Sequence, residues 1–103
     1  MQLPDLRYFL RPAALAALLL LAACQTAPVQ EMSDARQAIS VAKEAGAAEH
    51  AAVDLKAAIE HLESAERNLN ERRYENARHD AEQAKSRALD ALHRSEDAAG
   101  TDP

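Results

Sequence analysis

The residues best placed to do chemistry are Leu21, Ala22, Ala23 and Cys24. Cys24 is the only cysteine in the chain, and the residues before it close an apolar run that starts at Ala13. Leu, two small residues and Cys at that position form a bacterial lipobox. A membrane-embedded peptidase needs small side chains beside the bond it cuts, and the thiol just past that bond receives a diacylglycerol. Arg7 and Arg11 supply a positive n-region. The apolar segment 13–22 is about half the ~20 residues that a membrane span requires. A retained signal anchor is the competing reading, and the short run and the lipobox argue against it. Residues 1–23 therefore read as a lipoprotein signal peptide that is removed, with Cys24 as the lipidated N-terminus. A thiol carrying lipid is closed to disulfide or catalytic roles, and no cofactor is expected beyond that covalent lipid.

The four histidines, His50, His61, His79 and His93, carry less. Ligands on one helix share a metal at i, i+3 or i+4, and no pair here has that spacing. Only an antiparallel fold-back would bring His50 and His93 together, with Glu49 or Asp97. That periplasmic metal or small-ligand binder is an alternative reading; surface histidines are the ordinary one, and no metal site is assigned. There is no Gly-flanked serine elbow, no His-Glu-x-x-His and no Gly-rich phosphate loop. Acids such as Glu60, Glu63 and Glu66 fit helix surfaces, with i,i+4 ion pairs expected at Lys56–Glu60, Glu63–Arg67, Arg78–Glu82 and Asp90–Arg94. The chain reads as a non-enzyme. Its one local basic cluster is Arg72, Arg73 and Arg78, a candidate contact for an anion or for peptidoglycan.

The elements that position these residues are helical. Between residues 31 and 99 there is one Gly, Gly46, and no Pro, and Ala, Glu, Arg, Lys, Gln and Leu dominate. Met32, Ala35, Ile39 and Ala42 recur at three- and four-residue steps, and Gly46 is suited to the left-handed position that ends that helix. A second period runs through Leu55, Ala58, Ile59, Leu62, Ala65 and Leu69, predicting a helix over residues 53–71. A third runs through Tyr74, Ala77, Ala81, Ala84, Ala88 and Ala91 and ends before Gly100. Asn68, Asn70 and Arg72-Arg73 interrupt the period between the last two without a Gly or Pro. A continuous helix of about 45 residues is the competing reading, and a hairpin is preferred. The expected fold is all-α: a small antiparallel bundle of three helices, the last two a long hairpin, following the signal peptide.

In order, residues 1–23 are the signal peptide, 24–30 the lipidated Cys and a tether, 31–98 the helical domain and 99–103 a disordered tail. After removal of residues 1–23 ten basic and sixteen acidic side chains remain, a net charge of about −6 with His neutral. That balance disfavours nucleic acid and offers no electrostatic pull toward anionic lipid, so the lipid must hold the protein at the membrane. Anchoring of this kind generally needs two or more acyl chains, each buried CH₂ contributing about 0.8 kcal/mol. Gln25 rather than Asp after the lipidated Cys favours forwarding to the outer membrane in a Gram-negative cell.

Several segments, taken in order, resemble one family: Ala35-Arg36-Gln37-Ala38-Ile39, Ala45-Gly46-Ala47, Val53-Asp54-Leu55-Lys56, Tyr74-Glu75-Asn76-Ala77-Arg78 and Ala81-Glu82-Gln83-Ala84. It is the domain-of-unknown-function 4398 family of short helical bacterial envelope lipoproteins. The resemblance covers about residues 30–95 and implies an envelope location and a helical fold, with no known activity or catalytic residues. In the family a Pro often precedes the Val-acid-Leu segment; Ala52 stands there, so the second helix is free to begin nearer Ala48. Some members carry the domain ahead of an OmpA-like peptidoglycan-binding domain, and residues 1–103 hold none.

The preferred function is a membrane-anchored lipoprotein facing the periplasm, a non-catalytic structural or interaction module of the cell envelope. Its partners are the membrane and, through the Ala-rich helix faces, a second copy or another envelope protein. A non-covalent peptidoglycan-binding stabiliser is the alternative; the ending Gly100-Thr101-Asp102-Pro103 lacks the Lys that the murein lipoprotein uses for covalent attachment.

Overall fold

Alanine decides how closely these helices approach. A computed structural model describes residues 26–100 and contains four helices: α1 Val29–Glu44, α2 Ala47–His50, α3 Ala52–Asn70 and α4 Tyr74–Gly100. Three of them, α1, α3 and α4, form the bundle, with α3 and α4 as a long antiparallel hairpin; α2 is a single turn between α1 and α3. The inward face of α4 is Ala77, Ala81, Ala84, Ala88, Ala91 and Ser95, all 0% exposed. These positions alternate steps of four and three, a seam along which two helices pack side by side. With only a methyl at each, α3 and α1 can both lie against α4. The hydroxyl of Ser95 donates to the carbonyl of Ala91 at 2.8 Å, so the one polar group on that seam is satisfied within its own helix.

Larger side chains fill what alanine leaves. Met32 from α1, Ala65 from α3 and Ala81 from α4 pack near the hairpin end, with Leu62 and Leu69 half-buried against them. Farther along, Ile39, Ala42, Leu55, Ala58, Ala88 and Ala91 form the second cluster, capped by Ala47 and Ala51 from the α1–α3 connection. Leu62 touches both clusters, so the core is continuous.

The first helix starts two residues before the expected 31, and Pro28 just ahead of it is almost completely buried. Its carbonyl accepts the Met32 N–H at 3.0 Å. Proline fits here because the donor it lacks would have had no helical partner. The fourth helix likewise runs through Gly100 instead of ending before it. Gly46 adopts φ 91°, the left-handed conformation expected of it, and its N–H closes on the Lys43 carbonyl at 3.0 Å. The second long helix begins at Ala52, and residues 47–50 form the separate turn α2 rather than an earlier start.

Candidate functional site

The hairpin between α3 and α4 closes on an arginine where glycine is usual. Arg72 takes φ 61°. Its N–H bonds the Leu69 carbonyl at 3.0 Å, and the Arg73 N–H bonds the Asn68 carbonyl at 2.8 Å. This is the Schellman pattern of helix termination, which favours Gly at the left-handed residue because a Cβ there costs about 1–2 kcal/mol. The chain therefore breaks near Arg72, and the continuous 45-residue helix does not form. On α4, Asp80 Oδ2 accepts both Ser64 Oγ and Asn68 Nδ2, each at 2.7 Å. One carboxylate thus ties two successive turns of α3 to α4 just behind the tip.

The start of the described chain comes back to the same place. Thr26 lines a shallow depression with Arg72, Arg73, Tyr74, Glu75 and Asn76. Its carbonyl lies 3.5 Å from Arg78 Nη2, and the same guanidinium meets Glu31 at 3.3 Å and Glu75 at 2.8 Å. The three arginines expected to act together differ in their surroundings. Arg78 is half-buried and clamps the N-terminal segment and α1 to α4, whereas Arg72 and Arg73 are exposed at the tip. Arg73 pairs with Glu71 at 3.5 Å; Arg67, one turn back along α3, is exposed as well. Cys24 and the lipobox residues Leu21, Ala22 and Ala23 lie outside the described residues.

A second charged constellation joins α3 to α4 farther from the tip. Asp54 is 4% exposed and is gripped by Arg87 Nη1 and Arg94 Nε, each at 3.0 Å. Asp54 sits in the first turn of α3, where the helix dipole also favours a carboxylate. Two arginines seven residues apart on α4 reach it from either side. The three side chains form a brace that holds α3 to α4. Arg94 therefore bonds between elements in place of the expected Asp90–Arg94 pair, and Arg78 bonds across to Glu31 and along its own helix to Glu75 rather than to Glu82.

Among the described residues no three His, Cys, Asp or Glu side chains converge so as to hold a metal. His93 leans toward Glu96 at 3.9 Å on its own helix. No helix among the described residues is long and apolar enough to cross a membrane. The Ala-rich faces expected to meet a partner are turned toward one another: Ala35, Ala42, Ala58 and Ala65 are 0% exposed within this single chain. Apolar surface left outside includes exposed Val29, Val41, Val53 and Leu89, and a shallow groove on α3 runs past Ala52 and Ile59 over the buried Leu55.

Fold and tip together define a small alanine-seamed three-helix module, docked directly behind its N-terminal segment. The chain belongs to the family described as Domain of unknown function (DUF4398), whose model matches residues 30–100. That span covers nearly the whole bundle, from the second residue of α1 to the end of α4. No curated protein and no solved structure matches the chain.

Proposed function

We propose that this protein is a lipid-anchored lipoprotein of the bacterial cell envelope, held in the outer membrane and facing the periplasm. There it acts as a non-catalytic structural or interaction module. The observation that carries the reading is the lipobox Leu21-Ala22-Ala23-Cys24, placed four residues before a proline that is buried in the bundle. The chain from Gln25 to Ala27 reaches at most about 10 Å, so a lipid on Cys24 would keep the bundle against the bilayer. The short apolar segment 13–22 supports cleavage over retention, and Gln25 supports the outer membrane. Association with another envelope protein would use the α3 groove and its neighbours, since the alanine seams are filled internally.

The test is membrane fractionation of a bacterium expressing the full chain or its Cys24→Ser variant. The expected result is wild-type protein in the outer-membrane fraction and the variant accumulating as unprocessed precursor. Wild-type protein in the soluble periplasm, or normal processing of the variant, would remove the reading.

A further inference from the structure

We propose that the arginine tip of the α3–α4 hairpin rests on the membrane surface beside the lipid anchor, contacting the phosphate groups of anionic lipid headgroups and holding the bundle upright. The inference rests on lipidation of Cys24. Thr26 and the tip share one depression, and Arg78 fastens the Thr26 carbonyl there. Thr26 lies two positions after Cys24, a reach of about 7 Å, so the lipid leaves the protein next to Arg72 and Arg73.

The helices then lead away from that point. Glu31 pairs with Arg78 and Asp34 with Lys85, so α1 and α4 run in the same direction from the tip. The 27 residues of α4 extend about 40 Å.

Charge is distributed to suit this orientation despite the acidic total. At the tip, residues 67–75 hold Arg67, Arg72 and Arg73 against Glu71 and Glu75, all exposed, and Glu75 is itself paired with Arg78 at 2.8 Å. Arg67 and Arg72 have no ion-pair partner among the described residues. At the opposite end the exposed acids Glu44, Glu49, Glu96 and Asp97 accumulate, with Lys43, Lys56 and the Asp54-bound Arg87 and Arg94 as the nearby cations. An anionic surface attracts the first end and repels the second. Each arginine at such a surface is worth roughly a five-fold change in local partition. A peptidoglycan contact is less well served, because the tip lies at the end where the lipid emerges.

The experiment uses the full chain, processed and lipidated in a bacterium, purified and placed in vesicles of phosphatidylcholine with or without phosphatidylglycerol. With Cys24 blocked by lipid, a cysteine introduced at exposed Asn70 or Ala48 takes a fluorophore, and a headgroup spin label reports contact by quenching. The tip label should be quenched several-fold more than the Ala48 label, and most strongly with phosphatidylglycerol present. Combined Arg67→Gln, Arg72→Gln and Arg73→Gln substitutions, or salt near 1 M where screening acts within about 3 Å, should remove most of that difference with helicity unchanged. A lipidated chain whose tip label is unquenched, or is indifferent to salt and to the substitutions, overturns the proposal and leaves the anchor standing. Arginine-dependent retention on isolated peptidoglycan sacculi with no vesicle effect also overturns it. A purified chain whose mass lacks lipid overturns the anchor and the tip contact together.

Discussion

Asp54 shows how a charge can be built into a core made mostly of methyl groups. A carboxylate removed from water is stabilised here by two guanidinium groups that themselves remain well exposed, at 47% and 70%. Because either arginine can serve it, losing one should cost little, whereas losing both strands a buried charge, which typically costs about 3–5 kcal/mol. Arg87→Ala and Arg94→Ala are each expected to lower the urea unfolding free energy by about 1 kcal/mol, and the double variant by clearly more than their sum. Strict additivity would show that Asp54 does not depend on the pair. Arg72 is the converse case, a side chain kept at a backbone position that disfavours it. Arg72→Gly should raise stability by about 0.5–1 kcal/mol in the same measurement. A loss of stability would mean that the side chain itself supports the turn.

At the scale of elements, the helices follow directly from where alanine and leucine recur. Ala77 through Ala91 repeat at steps of three and four, and that period identified the face of α4 that is buried. Gly46 marked one helix end because its missing Cβ is a signal in its own right. Arg72 carried no such signal: a Schellman turn closed by arginine looks like ordinary helical sequence, so only the interrupted period indicated the break. Asp54 was also hard to read, since a carboxylate beside Leu55 resembles a solvated first-turn acid until Arg87 and Arg94 are brought to it across the hairpin. The burial of Pro28 was hidden because nothing in a short Pro-containing stretch distinguishes a loose tether from a docked one. The alanine seams should tolerate little added volume. Ala84→Leu, at a fully buried position, is expected to destabilise by about 1–3 kcal/mol or more, while Ala48→Leu on the surface should be near neutral. Equal effects in thermal unfolding would contradict the close approach of α1 and α3 to α4.

For the whole molecule, the consequence is that one chain encloses its own core. The faces expected to recruit a partner are already occupied by α1, α3 and α4. A lipid-free chain beginning at Gln25 should therefore be helical and monomeric in light scattering across a concentration series. Mass and helicity rising together would show that the core is completed between copies.

The short tether, the tip and the orientation of the bundle all take their meaning from the anchor. The most direct measurement is the intact mass of the protein extracted from bacterial membranes. The extracted protein should begin at Cys24 and carry a diacylglyceryl group, with or without a further acyl chain on its amine. A chain that retains residues 1–23, or a mature chain whose Cys24 bears no lipid, would contradict lipid anchoring.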